Sequence, residues 1–201
     1  MLEFLDSLDK TLFVFVNFYL ANPVTDFIMP ILTSDYLLRI GYGIAMLAVL
    51  IWGDRRLRWL VLVSLIVLTV TDQTSSQFLK KLIERPRPCH VLSQVHLLVG
   101  CGGGFSMPSS HAANAFAQAA LFALTTRTAK YWLVPTAALV ALSRIFVGVH
   151  YPFDVLAGAT LGWGIGWLGA KGHGLLMTRL DARREMRLTT ESATDVSKGD
   201  K

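Results

Sequence analysis

The sequence predicts an all-α, polytopic membrane bundle of about five spanning helices, preceded by short interfacial or re-entrant helices at the N-terminus. Three observations predict it. Only 16% of the 201 residues are charged while 53% are hydrophobic, and the mean hydropathy is +0.47; a soluble domain carries roughly a quarter charged residues. Five segments, 36–53, 57–79, 109–126, 131–148 and 153–170, reach the roughly 17–25 residues that a helix needs to cross the hydrocarbon core. Short basic turns (Gly53 to Arg58, Arg127 to Lys130) and a short turn at 149–152 join 36–53 to 57–79 and 109–126 through 131–148 to 153–170.

Taken in order, residues 1–35 form a unit of their own. Thr11 to Leu20 is apolar but too short to span, and Asn22-Pro23 breaks it, because proline removes a helix donor and disfavours helix at the residue before it. Val24 to Leu32 is a second short apolar piece, so two half-helices in or re-entering the interface fit best, with one broken span as the alternative. Met1-Leu2-Glu3-Phe4 has no positive leader region, so insertion is expected to rely on the internal helices. Residues 36–172 form the membrane core. The long loop from Lys80 to Pro108 is of a length that is usually functional. Residues 173–201 read as a cytoplasmic tail, charged, without apolar period from about Leu180, and expected to be disordered. Gly158, Gly162 and Gly166, every fourth residue of segment 153–170, are the spacing that lets membrane helices approach closely.

Three motifs carry the chemistry: Lys80-x6-Arg87-Pro88, Pro108-Ser109-Ser110-His111, and Ser143-Arg144-x5-His150-x3-Asp154. The hairpin connectivity puts all three at one end of the bundle. The opposite end holds Arg55, Arg56, Arg58, Arg127, Lys130, Lys171, Arg179, Arg183, Arg184 and Arg187. The positive-inside rule then places the motifs on the non-cytoplasmic face and the C-terminus in the cytoplasm. That distribution also accounts for the net charge of +5 as topology rather than a nucleic-acid stripe.

Lys80, Arg87 and Arg144 are three cations suited to phosphoryl oxygens. Ser109 and Ser110 open a helix, and a helix N-terminus binds anions through its free amides and dipole. His111 falls in the first turn of that helix. Pro152 can open the next helix, which puts Asp154 four residues from His150. A carboxylate there accepts one imidazole N–H and leaves the other nitrogen free to attack. A cation cradle, a nucleophile and an acid together describe phosphoryl transfer, which is mostly positioning and charge stabilisation. No acidic cluster suited to magnesium lies near the motifs, and neither metal nor cofactor is expected. Asp72, Ser76 and Lys80 follow at steps of four; Asp72 either orients Lys80 through the serine or glues helices together.

From Lys80 to Asp154 the chain resembles the type 2 phosphatidic acid phosphatase superfamily, whose pattern is Lys-x6-Arg-Pro, Pro-Ser-Gly-His and Ser-Arg-x5-His-x3-Asp, with the family glycine replaced by Ser110. The resemblance implies a helical bundle and a membrane lipid phosphatase. It implies that His150 attacks phosphorus to form a phosphohistidine and that Asp154 orients it. His111 protonates the leaving oxygen and later activates water. Lys80, Arg87, Arg144, Ser109 and the amides of Ser110 and His111 hold the phosphate. The implied partner is a lipid phosphate in a bacterial cytoplasmic membrane: undecaprenyl diphosphate first, then phosphatidylglycerol phosphate, phosphatidic acid or lipid A phosphate. Transfer to a second lipid, or a non-enzymatic lipid-binding or transport-associated role, are the alternatives; soluble vanadate haloperoxidases share the cradle, but the apolar spans argue strongly against that class. Cys89 and Cys101 both fall in the motif-face loop, where an oxidising compartment would favour a disulfide.

Overall fold

The computed structural model describes residues 2–126 and 128–199; Arg127, counted above among the cations opposite the motifs, lies outside them. Helix α1 (Leu2–Val14) runs into a π-helical turn, Phe15–Tyr19, and α2 (Pro23–Leu32) follows at a bend of 114°. Asn22 caps α2 through its side chain, which accepts from Val24 and Thr25. The first helix starts well before the apolar stretch at Thr11. Its inward face is the reason: Asp9, Phe13 and Asn17, four apart, are all buried, so hydropathy under-reads the face that packs.

Helix α3 (Asp35–Trp52) starts at the N-cap Ser34, and α4 (Arg55–Gln73) at the N-cap Asp54. Helix α4 continues through a second π turn, Thr74–Leu79, into α5 (Lys80–Ile83) and stops at Glu84, whose φ of 51° is left-handed. The short α6 (Pro88–Val91) sits in the long loop, followed by α7 (Ser110–Thr125), α8 (Lys130–Phe146) and α9 (Pro152–Gly199). By length and composition, Asp35–Trp52 and Arg55–Val91 suffice to cross a membrane; the bent N-terminal pair makes a third if it is one span. The other three segments read as spans coincide with α7, α8 and the first part of α9. Helices α7 and α8 have only 16 and 17 residues, and α9 is diluted by glycine.

The close pair is α7 with α9. A Cβ at Gly158 would collide with the Ser109 carbonyl, one at Gly162 with the Ala113 carbonyl, and one at Gly166 with the Ala117 carbonyl. The glycine stripe therefore seats α9 against the start of α7 and brings the second and third motifs together. Phe13, Ala112, Ala141, Ile145, Tyr151 and Val155 form the core below the motifs. Leu60, Val67, Ala117, Leu121 and Phe122 form the core toward the other end. Large apolar side chains such as Tyr36, Ile44, Ile66 and Leu156 face outward, and α3 buries none of its residues, as a lipid-facing surface would.

The disordered tail is corrected: α9 continues to Gly199. Between Gly174 and Gly199 the sequence has no glycine or proline and many good helix formers, so it extends a helix already nucleated by the bundle. Asp181 on this extension pairs with Arg56 at 2.8 Å and Arg55 at 3.5 Å. Asp200 and Lys201 lie outside the described residues.

Candidate active site

The third motif supplies the centre. Helix α8 ends at Phe146, and Gly148 turns the chain with φ of +87°. A side chain there would also strike Val95 and the His96 carbonyl. The turn delivers His150, and Pro152 opens α9 so that Asp154 sits in its first turn. Asp154 Oδ2 lies 3.5 Å from His150 Nδ1 and accepts the Tyr151 amide at 2.8 Å. That arrangement assigns the Nδ1 proton to the carboxylate side and leaves Nε2 with its lone pair free. His150 and Asp154 are both buried. Burial pushes the His150 imidazole down to about 3; Asp154 opposes the shift, and Arg144 and Lys80 add to it. The imidazole is therefore neutral at physiological pH, the state a nucleophile requires.

The second motif is bound to the third through the backbone: the Ser109 N–H donates to the Asp154 carbonyl at 2.9 Å. The Ser109 hydroxyl caps α7 by accepting from the Ala112 amide at 3.5 Å. The hydroxyl accepts in this bond and still carries a hydrogen to donate. The side chain of Ser110, at the position of the family glycine, turns to the Ser76 hydroxyl at 2.9 Å. The first-turn amides of α7 have no helix carbonyl to bond and face the same end of the bundle. His111 Nε2 stands 3.1 Å from Asp35 Oδ1.

The cations converge. Lys80 is close enough to Arg87, Arg144 and Asp154 to feel each of them, and Arg144 also influences both histidines. Arg87 Nη1 donates to the Cys101 carbonyl at 2.9 Å, and Cys101 is joined to Cys89 by a disulfide with Cα atoms 6.1 Å apart. The crosslink thus fixes the carbonyl that holds Arg87. Arg144 donates to the Thr33 hydroxyl. Yet Arg87 Nε, Arg144 Nε, His111 Nε2 and His150 Nδ1 are all buried without an aligned hydrogen-bond partner. Buried polar groups in native proteins are rarely left so, and a tetrahedral oxyanion offers acceptors to the guanidiniums. All eight residues singled out in the motifs come to one end of the bundle. Among the described residues, the grouping with metal-ligand spacing is Cys89, His90 and Cys101, and its two sulfurs are joined to each other.

Several residues that shape the site escaped the sequence reading. Asp9, Asn17 and Thr33 come from the N-terminal unit, and Asp35 opens α3. Asn17 donates to the carbonyls of His96, Ile145 and Phe146 and accepts from the His96 amide, which pins the end of α8 against the loop. A polar residue inside an apolar helix is itself a signal, and Asn17 carried it. Asp72 pairs with Asn114 at 3.0 Å, so it joins α4 to α7 and does not reach Lys80 through Ser76.

A buried histidine–aspartate pair at the mouth of a membrane bundle, ringed by three cations and a helix start, is the site of a phosphoryl-transfer enzyme. The profile of the PAP2 superfamily matches residues 56–176, and the chain belongs to that family. It is 34% identical to a lipid A 4'-phosphatase of Bacteroides thetaiotaomicron over 84% of this chain and 78% of that one. It is 31% identical to the undecaprenyl-diphosphatase BcrC of Bacillus subtilis over 80% and 81%. Among solved structures it is similar to Aquifex aeolicus LpxE, with 27% identity, TM-score 0.67 and coverage of 82% and 95%. The fold is shared with a PAP2-type phosphatidylglycerolphosphate phosphatase of Bacillus subtilis at TM-score 0.68, over 84% and 85%. The chain is a membrane lipid phosphate phosphatase, a hydrolase.

Proposed function

We propose that the protein hydrolyses a phosphate on a lipid headgroup through a phosphohistidine at His150. The observation that carries this reading is the neutral, buried His150 held by Asp154 at 3.5 Å beside Lys80, Arg87 and Arg144. His150 Nε2 attacks phosphorus as the bond to the lipid oxygen breaks, and His111 gives its proton to that oxygen. His111 then takes a proton from water, which displaces His150 and releases inorganic phosphate. Arg87, Arg144, Lys80 and the first-turn amides of α7 carry the charge on the equatorial oxygens.

The bundle crosses the membrane five times in this reading, with the site on the periplasmic face, supported by the cations clustered at the opposite end. The longer match to a lipid A 4'-phosphatase moves lipid A phosphate ahead of undecaprenyl diphosphate. The match to an undecaprenyl-diphosphatase keeps the polyprenyl diphosphate as the second substrate to test. The test is phosphate release by the purified protein from lipid A, undecaprenyl diphosphate, phosphatidylglycerol phosphate and phosphatidic acid, with His150→Ala as control. Turnover of at least one lipid, lost in the variant, is expected. Turnover retained by His150→Ala contradicts the reading.

A further inference from the structure

Arg85 lies between Lys80 and Arg87 but is not one of the residues that the motifs specify, and Asp9 lies in α1, outside the stretch 56–176 matched by the family profile. The two meet behind the nucleophile. Arg85 Nη1 stands 2.9 Å from Asp154 Oδ1 and 2.7 Å from Asp9 Oδ2. Asp9 Oδ1 accepts the Phe153 amide at 2.9 Å, and Arg85 stacks over the Tyr151 ring at 4.1 Å. Asp9 and Asp154 are fully buried. Arg85 Nη2 also reaches Asp6, but at 3.5 Å and toward solvent.

Each part of this cluster acts on the geometry or charge of His150. The planar guanidinium holds one oxygen of Asp154, which fixes the rotation of the carboxylate. The other oxygen is thereby aimed at His150 Nδ1. The charge count matters as much. Arg85 alone would cancel Asp154 and leave nothing to face the positive imidazole that forms as Nε2 attacks phosphorus. Asp9 restores one net negative charge to the cluster. Its placement is secured by the Phe153 amide, which lies in the same turn as Asp154.

We infer that Arg85 and Asp9 are positioning residues for catalysis: Arg85 orients Asp154, and Asp9, supplied by the N-terminal helix, keeps the cluster negative for the imidazolium. The inference rests on His150 being the nucleophile. Neither residue touches the phosphate in this role, so kcat should respond and binding should not.

The experiment uses the full chain in detergent, with the lipid of the panel that the wild type turns over fastest, and inorganic phosphate as competing inhibitor. Arg85→Met is expected to lower kcat about 100-fold, and Arg85→Lys and Asp9→Asn about 10-fold, the range found for residues that act through a first ligand. KM and the phosphate inhibition constant should stay within about threefold of wild type. Asp9→Asn keeps the acceptor for the Phe153 amide, so it decides the matter if the Arg85 variants do not fold. A kcat within about twofold of wild type in Asp9→Asn overturns the inference. So does a phosphate inhibition constant that rises in step with the loss of kcat, since that places the residues in the cradle. Turnover surviving in His150→Ala would instead remove the phosphohistidine reading on which the inference stands.

Discussion

The N-terminal unit, Leu2 to Ser34, and the bundle from α4 to α9 divide the site differently. The bundle holds the groups proposed to touch a phosphate: Lys80, Arg87, His111, Arg144, His150 and the first-turn amides of α7. The N-terminal unit touches those groups from behind. Thr33 accepts from Arg144, Asn17 pins the end of α8, and Asp9 reaches the nucleophile's carboxylate through Arg85. The first residue of α3, Asp35, stands beside His111. The difference teaches that chemistry and precision have separate addresses in this chain. Residues that do chemistry sit at fixed spacings on helix ends, where the family profile finds them. Most residues that aim the chemistry sit on a helix pair beyond that profile, and Arg85 links them to Asp154 from within it.

The sharpest way to break the comparison is at the nucleophile. His150→Ala should lower turnover by roughly 10,000-fold or more, as loss of a nucleophile does elsewhere, with the folded protein recovered in normal yield; phosphate release measures it. Next comes the crosslink that steadies the bundle's own loop. Reduction of Cys89–Cys101, at a sequence separation of 12, should cost about 3 kcal/mol of stability. It should also raise KM, because the carbonyl holding Arg87 is released; thermal melting and steady-state kinetics with and without reductant check both. Asn17→Ala tests the N-terminal side. It strips partners from three carbonyls and one amide and should cost about 2 kcal/mol, with a smaller loss of kcat than His150→Ala. Equal losses would erase the distinction between the two regions.

The smallest effect is the response to pH. His150 is held near 3, below the roughly 6.5 of a free imidazole. Between those values the unfolded chain takes up a proton that the native state does not. Native stability should therefore fall as pH drops from about 6.5 toward 3 and be insensitive to this group above 6.5. Melting temperatures across that range, compared with those of His150→Ala, isolate the contribution. The pH–rate profile should have its acid limb displaced below the ordinary histidine range, because His150 stays neutral.

Much of this was legible in the sequence, and what was not has a physical explanation. The helix boundaries at Ser109 and Pro152 followed from local capping chemistry and the break at Asn22-Pro23 from proline, each depending on two or three neighbouring residues. Motif residues were legible because lysine, arginine and histidine are costly near a membrane and stand out at fixed spacing. The supports were not, because each acts across the chain: Asp9 meets Phe153, and Asn17 meets Ile145, contacts that no local pattern announces. Hydropathy also concealed α1, since its packing face is Asp9 and Asn17 as well as Phe13. The tail was misread for the converse reason. From Leu180 its side chains lack an apolar face, but α9 had already been nucleated within the bundle, and good helix formers continue it.

Two-step transfer through His150 leaves its record in the stereochemistry at phosphorus. A thiophosphate monoester substrate made chiral with oxygen isotopes and hydrolysed in isotopically labelled water yields a chiral product. Two in-line displacements, onto His150 and then onto water, predict overall retention of configuration. Inversion would mean that water attacks phosphorus directly, with no phosphohistidine at His150.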